Sequence, residues 1–357
     1  MGISIPESIA QVTPDWLSEV LSTSKHPVTI GSIQTRRIGH GMMSDLYGAT
    51  IYYTEGDGPA SVAIKLPTEN KQNREVAITF DNYRREIEFY RHVAESRPMR
   101  IPRAYLAASS TPDRFVLVME DLSDWKPGDQ AVGCSLEEAE VVMDALADLH
   151  AAFWHKVDDG SLAWMPNSYP SIMSDGLFEG TAANYENFSN VFSDLLTPEL
   201  RNAKQGYLEA LPGIQSWIND GPRTVIHGDF RLDNLFFKTT GHTIEVACCD
   251  WQASVRGKGM HDVAYFLSGN IDIGLRREHE QTLIKRWLDA LNSCGVTGYG
   301  YEQALEDYRK AILVLWSYVV NNGGLATEDQ RDEDWVSAQV ARHAAAMTDH
   351  ECLSLLR

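Results

Sequence analysis

The chain has 357 residues, of which 43% are hydrophobic and 23% charged, and it carries a formal net charge of -19. A chain of this length predicts two lobes or domains, because single hydrophobic cores stop growing at about 250 to 300 residues. The negative charge argues against a nucleic-acid partner, since it would repel the phosphate backbone.

The first part of the chain predicts a short helix followed by an antiparallel sheet. Thr13 and Pro14 are typical of an N-cap and a first helical position. Strands are predicted over residues 28–38, 45–53, 61–66 and 115–119, with glycine-rich turns after the first two. Between residues 75 and 96, apolar side chains recur every three or four positions, which predicts one continuous helix with an apolar face.

The pattern becomes mainly helical after residue 120. Helices are predicted over residues 136–155, 195–217, 278–291 and 301–320, whereas residues 162–185 have no clear period. The predicted fold class is therefore α+β, with an antiparallel N-terminal sheet lobe that carries one main helix and a larger, mostly helical C-terminal lobe. The expected division is an N-terminal helical extension (1–24), an N-terminal lobe (25–121) and a C-terminal lobe (122–357).

Two apolar, strand-like runs each deliver a carboxylate to a bend in the chain. The first leads to His227-Gly228-Asp229, with Asn234 five residues after the aspartate, and the second leads to Asp250. Two acids and an amide at strand ends suit metal-assisted phosphoryl transfer. In that chemistry one carboxylate orients a hydroxyl nucleophile, while Asn234 and Asp250 hold magnesium against nucleotide phosphates.

A glycine loop and a strand-end lysine precede these residues. Gly39, Gly41 and Ser44 lie between two predicted strands, where glycines let the backbone approach a phosphate, although a plain hairpin turn is the alternative. Lys65 ends the apolar strand Val62-Ala63-Ile64, and a buried ammonium there requires anionic partners. Glu86 on the following helix is placed to pair with it, which would leave Lys65 directed at nucleotide phosphates.

Taken in order, these motifs resemble the aminoglycoside phosphotransferase and choline kinase branch of the protein-kinase-like fold. Ser44-Asp45-Leu46-Tyr47 and residues 80–90 are most similar to ecdysteroid-kinase-like small-molecule kinases and their bacterial relatives. The resemblance covers roughly residues 30 to 270, and more weakly the rest of the chain. It implies a bilobal protein-kinase-like fold with ATP and Mg²⁺ as cofactors.

The resemblance also implies roles for individual residues. Asp229 matches the catalytic base, and Asn234 and Asp250 match the magnesium ligands. Arg231 occupies the place where eukaryotic-type kinases have a lysine that meets the transferring phosphoryl group, so it either stabilises transition-state charge or pairs with a neighbouring acid. His227 is expected to orient the catalytic loop by hydrogen bonds rather than to transfer protons.

Further positions match the nucleotide-binding side of the family pattern. Lys65 matches the residue that contacts the alpha and beta phosphates, with Glu86 as its partner and Glu88 as a poorer choice. Glu120 and Leu122 match the hinge, whose backbone amide and carbonyl groups read the adenine edge.

The region after Asp250 departs from the protein-kinase pattern. Asp262 matches a structural aspartate that caps or braces the catalytic loop. Only residues 251–261 separate the two aspartates, and no Ala-Pro-Glu motif is present. This spacing leaves little room for an activation segment, which favours a constitutive small-molecule kinase over a signalling protein kinase.

The predicted function is ATP-dependent transfer of a phosphoryl group to a hydroxyl of a small molecule, either an aminoglycoside-like antibiotic or another alcohol. The alternative is a catalytically idle pseudokinase that binds nucleotide as a scaffold or sensor. Aromatic residues are candidates for a substrate pocket or for plain core packing: Trp154, Trp164, Phe178 and Tyr185. Acidic residues are candidates for holding ammonium groups or for a solvated surface: Asp158, Asp159, Asp175 and Glu179.

The cellular compartment is predicted from features that are missing from the sequence. The 5 cysteines form no CxxC pair and no regular framework, and no basic and apolar leader is apparent. No run of about eighteen uncharged apolar residues would span a bilayer. A cytoplasmic location is therefore expected.

Overall fold

The computed structural model describes residues 3–39, 42–96, 98–325 and 334–356. The chain forms two compact units. The first contains Met1–Trp125 together with Cys249–Ala253, and the second contains Lys126–Cys248 together with Ser254–Arg357. The boundaries at residues 24 and 121 that we expect from the sequence stay predictions.

The first unit is built on a five-stranded antiparallel sheet. Its strands are β1 (Thr29–Gly39), β2 (Ser44–Glu55), β3 (Ser61–Pro67), β4 (Ala104–Thr111) and β5 (Arg114–Glu120), in the order β1-β2-β3-β5-β4. Helix α1 (Pro14–Leu21) packs on this sheet through Trp16 and Leu17, and the Thr13 hydroxyl accepts the Trp16 N–H at 3.2 Å, as expected for an N-cap. The sheet places Lys65 of β3 opposite Leu117 of β5, in the middle of the sheet.

The single helix predicted over residues 75–96 is wrong. The chain forms α2 (Lys71–Thr79) and α3 (Asn82–His92), separated at Asp81, whose backbone is left-handed with φ of 57°. Both helices have apolar residues at helical spacing, so periodicity alone does not detect the break. The break matters because α3 buries a full face that includes Glu86, whereas α2 buries only Ala77.

The second unit is mostly helical. Its helices are α4 (Leu136–Phe153), α5 (Ile172–Val191), α6 (Pro198–Arg201), α7 (Lys204–Ser216), α8 (Met260–Gly269), α9 (Ile273–Ser293), α10 (Tyr301–Gly324) and α11 (Asp334–Asp349). Its short strands are β6 (Lys126–Pro127), β7 (Thr224–Ile226), β8 (Leu235–Thr240), β9 (Thr243–Cys248) and β10 (Val255–Gly257). The order β6-β8-β9 forms one antiparallel sheet, and β7 pairs with β10 in another. The helix predicted over residues 195–217 is divided between α6 and α7.

The prediction of an irregular segment over residues 162–185 is wrong from residue 172 onward, where helix α5 begins. Ser171 begins the helix with a capping box. The helix packs closely against α10, and a Cβ at Gly180 would lie 2.0 Å from Oδ1 of Asn321. The buried face of α5 includes the small polar residues Ser174 and Thr181 as well as apolar ones, so the helix carries no strong apolar period.

The predicted fold class is confirmed. An antiparallel sheet occupies the N-terminal part and helices dominate the C-terminal part. Within the described ranges, every helix is too short or too polar to cross a lipid bilayer.

Candidate active site

The first unit places a buried lysine between two carboxylates. Lys65 Nζ lies 2.8 Å from Oε1 of Glu86 and 2.8 Å from Oδ1 of Asp250. Lys65 comes from β3, Glu86 from α3, and Asp250 from the 249–253 segment that belongs to this unit. The predicted pairing of Lys65 with Glu86 is confirmed. Glu88, the second choice, instead bonds to Arg91 and His92 of its own helix.

The charge of Lys65 depends on its burial and on the two carboxylates that contact it. Burial by itself lowers the pKa of Lys65, but the neighbouring carboxylates of Asp250 and Glu86 raise it above its ordinary value. The Glu86 carboxylate also accepts a hydrogen bond from the backbone N–H of Trp251. Lys65 therefore remains a cation, in a cluster with two acids.

Asp250 is held in an unusual backbone conformation. Its φ is 64°, in the left-handed region that few non-glycine residues adopt. The next residue, Trp251, is fully buried and stacks on Phe89 of α3, with ring centroids 3.9 Å apart. A residue keeps such a strained backbone conformation only where its surroundings hold it in place. The stacked indole of the next residue holds Asp250 in this way.

The glycine loop joins β1 to β2. Gly39 ends β1 and Ser44 begins β2, while Gly41 lies outside the described residues. The hydroxyl of Tyr83, on α3, donates a hydrogen bond of 2.5 Å to the carbonyl of Met43. The end of the loop is therefore tied to the helix that carries Glu86, and phosphate binding by the loop stays a prediction.

The predicted hinge residues follow β5. The backbone N–H of Glu120 donates to the Arg103 carbonyl at 2.8 Å, and its side chain pairs with Arg100. Leu122 is buried, and its carbonyl accepts the Trp125 N–H at 2.8 Å. Recognition of adenine by this backbone stays a prediction.

The second unit contains the His227-Gly228-Asp229 loop directly after β7. The buried carboxylate of Asp262 on α8 accepts the N–H of His227 at 2.6 Å and that of Gly228 at 3.0 Å. His227 Nδ1 in turn accepts the Asp229 N–H at 3.2 Å. The predicted bracing by Asp262 and orientation by His227 are both confirmed.

The bracing carboxylate is ionised. Burial by itself raises the pKa of Asp262, but the neighbouring imidazoles of His150 and His261, whose ring nitrogens lie 3.5 and 3.6 Å away, lower it below the ordinary value. An ionised carboxylate accepts backbone N–H groups strongly. The loop backbone is therefore fixed from α8.

The Asp229 side chain has partners on both oxygens. Oδ1 lies 2.8 Å from the hydroxyl of Tyr265, and Oδ2 lies 3.2 Å from Nδ2 of Asn234. Asn234 Nδ2 also donates to the Asp229 carbonyl at 2.8 Å. Arg231 lies 3.4 Å from both Asp229 and Asp233, so the acid-pairing alternative is observed, and its contact with a phosphoryl group stays a prediction.

Sequence reasoning missed Tyr265. The signal was available, because Tyr265 follows Asp262 by three positions in one helix and residues at this spacing share a helix face. Trp335 of α11 lies near the same loop, with its ring 5.7 Å from the Arg231 guanidinium.

The candidate substrate residues divide by burial. Trp154 and Tyr185 are buried, and the Tyr185 hydroxyl donates to the Leu200 carbonyl at 2.7 Å, which supports core packing for both. Trp164 and Phe178 are half-buried. Among the acids, Asp158 pairs with Arg223 and Asp159 bonds to Ser161, whereas Asp175 and Glu179 are exposed.

Several solved structures of small-molecule kinases and phosphotransferases are similar to this fold. Ethanolamine kinase from Plasmodium vivax superposes with a TM-score of 0.52 at 13% identity, covering 90% of this chain and 83% of that one. Choline kinase from Cryptosporidium parvum gives 0.53 at 10% identity, covering 95% and 94%. The GDP complex of an aminoglycoside 2'-phosphotransferase gives 0.51 at 14% identity, covering 89% and 94%. At these identities the likeness shows the fold, which is protein-kinase-like as predicted.

Sequence comparison gives the family. Residues 38–296 match the model of the ecdysteroid kinase-like family, and the chain belongs to that family. Acyl-CoA dehydrogenase family member 11 from Homo sapiens and from Pongo abelii is 32% identical over 76 residues, which is 20% of this chain. The match covers only 10% of the length of those relatives.

Proposed function

We propose that this protein is an ATP-dependent phosphotransferase that acts on a hydroxyl group of a small molecule. The observation that carries the proposal is the contact of the buried Lys65 ammonium with both Glu86 and Asp250. A lysine oriented by an acid on a neighbouring helix, next to a second acid that can bind magnesium, is the arrangement used to hold nucleotide phosphates in kinases. Membership of a kinase-like family supports the same reaction.

Magnesium is the metal that suits the proposed ligands. The Nδ2 group of Asn234 donates to Asp229, so the opposite atom of the amide, its oxygen, is the one suited to bind a cation. Amide and carboxylate oxygens are ligands that magnesium accepts.

Magnesium would bind together with nucleotide phosphates and water. Within the ranges the structure describes, no three His, Cys, Asp or Glu side chains form a cluster able to hold a metal. Magnesium commonly takes one or two protein carboxylates and completes its shell with phosphate and water. When bound, the ion neutralises charge that develops on the transferred phosphoryl group.

Asp229 is the proposed base. Its half-buried carboxylate is fixed by Tyr265 and Asn234, so it can orient an acceptor hydroxyl and take up its proton as phosphoryl transfer proceeds. Arg231, 3.4 Å from this carboxylate, contributes positive charge on the same side. These residues supply orientation and charge, which are the main contributions that proteins make to this reaction.

The test is a screen of hydroxylated compounds with ATP or GTP and magnesium, in which phosphate transfer is read by mass spectrometry. The panel contains aminoglycosides, small amino alcohols and neutral alcohols matched in size. We expect a mass increase of one phosphoryl group on at least one acceptor, which is lost without magnesium. Nucleotide binding without transfer to any acceptor would contradict the proposal and favour a nucleotide-binding scaffold.

A further inference from the structure

We infer that Tyr265 is a positioning residue for Asp229, and that its hydroxyl sets the orientation in which this carboxylate meets the acceptor. The inference rests on the proposed function, because orientation of Asp229 has a consequence only if Asp229 serves in the reaction. Nothing in the motif pattern of the sequence assigns Tyr265 this part.

The hydrogen bond between the two side chains has a defined direction. The hydroxyl lies 2.8 Å from Oδ1 of Asp229, and an ionised carboxylate can only accept, so Tyr265 donates. Burial and the neighbouring Asp229 carboxylate raise the pKa of Tyr265 well above its ordinary value, so the phenol keeps its proton. The donor is therefore present throughout the physiological pH range.

The two carboxylate oxygens differ in their contacts. Oδ1 has the contact of 2.8 Å with Tyr265, whereas Oδ2 has the longer contacts of 3.2 Å with Asn234 and 3.4 Å with Arg231. Shorter hydrogen bonds of good geometry are stronger. Tyr265 therefore anchors Oδ1, and Oδ2 is the oxygen that more readily exchanges a partner for an acceptor hydroxyl.

Helix α8 gives Tyr265 a rigid base. Every residue from Met260 to Gly269 is buried, and Asp262 of the same helix holds the backbone of His227 and Gly228. One helix thus fixes both the backbone of the loop and the side chain that the loop presents. Catalytic groups need this support, because a displacement of about 1 Å can cost on the order of a hundredfold in rate.

The first experiment replaces Tyr265 by phenylalanine, which keeps the ring and its packing against Tyr318 but removes the hydroxyl. Turnover is followed as ADP released from magnesium-ATP, with the acceptor found in the screen and separately with water alone. We expect Tyr265→Phe to lower kcat about ten- to hundredfold, and to leave nucleotide affinity and the acceptor KM within about twofold, since neither uses the hydroxyl.

Tyr299 provides a matched control. Its hydroxyl also donates at 2.8 Å to a buried carboxylate, that of Asp307, which Lys258 and Trp217 hold as well. Tyr299→Phe therefore removes a hydrogen bond of the same kind away from Asp229. We expect an unchanged kcat, whereas equal losses in the two variants would show a general structural effect and would overturn the inference.

A double-mutant cycle separates this inference from the proposed function. In the Asp229→Ala background the hydroxyl has lost its partner, so adding Tyr265→Phe should cost less than about twofold in residual turnover. The positioning role of Tyr265 is wrong if Tyr265→Phe lowers turnover equally in the wild-type and Asp229→Ala backgrounds, or if it does not lower turnover in the wild type. Unchanged turnover of Asp229→Ala alone would instead contradict the proposed function.

Discussion

The indole of Trp251 stacks on the ring of Phe89, with centroids 3.9 Å apart and an angle of 7° between the ring planes. The contact joins the segment that carries Asp250 to helix α3, which carries Glu86. The backbone N–H of Trp251 adds a hydrogen bond to the Glu86 carboxylate. One buried tryptophan therefore holds together the two acids that contact Lys65.

Replacing Trp251 by alanine should lower both stability and nucleotide affinity. Loss of a fully buried tryptophan leaves a cavity and costs about 3 to 5 kcal/mol of unfolding free energy, measured by urea denaturation. Affinity for magnesium-ATP should fall as Asp250 loses its constraint. Trp251→Phe keeps an aromatic contact and should lose less than half as much stability. Wild-type stability of the alanine variant would contradict the packing argument.

The Lys65 cluster makes a second prediction, about nucleotide affinity. Lys65→Met removes the ammonium group, so Glu86 and Asp250 lose the cation that they both contact. We therefore expect magnesium-ATP affinity, measured by calorimetry, to fall at least about tenfold. Glu86→Gln should have a smaller effect, because Asp250 still contacts the lysine.

Glu88 offers a control on the same helix. Glu88 bonds to Arg91 and His92, away from Lys65, so Glu88→Gln should leave affinity unchanged. If Glu88→Gln and Glu86→Gln weaken binding equally, the specific role of Glu86 is wrong.

A third prediction concerns Asp229, the proposed base. Asp229→Ala should leave magnesium-ATP affinity nearly intact and lower kcat by on the order of a hundredfold or more, the range typical of a lost general base. The measurement pairs calorimetry with turnover on an acceptor from the screen. The matched change Asp289→Ala removes an exposed acid of α9 and should alter neither quantity. Asp229 would lose its proposed role if its variant turned over at the wild-type rate.

Asp250 should behave in the opposite way. Asp250→Asn removes the negative charge of a proposed magnesium ligand and weakens the contact with Lys65, so we expect lower affinity for the magnesium-nucleotide complex itself. Titration of nucleotide with and without magnesium separates the two effects. In the variant, magnesium should raise nucleotide affinity much less than it does in the wild type. If magnesium raised the affinity of both proteins equally, Asp250 would not be a magnesium ligand.

Contacts between residues of recognised motifs could be predicted from the sequence. Asp262 bonds to the His227 and Gly228 backbone, and Glu86 rather than Glu88 contacts Lys65, as the order and spacing of the motifs along the chain indicate. Tyr265 was missed because a tyrosine in an apolar helix is ordinarily a core residue. Its spacing from Asp262 indicates the helix face, but the fold is needed to show that its hydroxyl reaches Asp229.

Helix boundaries failed for a different reason. The break at Asp81 depends on one left-handed residue, and the close packing of α5 depends on Gly180 facing Asn321. The break at Asp81 leaves the apolar period of the sequence unchanged, whereas α5 buries small polar residues and so lacks the period that identifies a helix. Both are tertiary constraints, which local patterns do not contain.

The last prediction uses pH and a residue remote from the proposed chemistry. His343 of α11 is buried, with Nε2 2.9 Å from the Ile312 carbonyl, and burial lowers its pKa from the usual 6.5 to about 4. Well above pH 6.5 the residue is neutral in both the folded and unfolded states and does not change stability with pH. As the pH falls from 6.5 towards 4, the unfolded chain binds a proton that the folded chain refuses, so stability decreases.

The expected loss attributable to His343 approaches about 3 kcal/mol of unfolding free energy near pH 4, at about 1.4 kcal/mol for each pKa unit. Urea denaturation at pH 7, 6, 5 and 4 measures it, with these pH values chosen to span the two pKa values. His343→Gln removes the titrating group, so its stability should fall less steeply with pH than that of the wild type. Exposed His26 is the control, and His26→Gln should keep the wild-type slope. Parallel slopes for His343→Gln and the wild type would show that His343 titrates alike in both states, contrary to its buried, neutral position against Ile312.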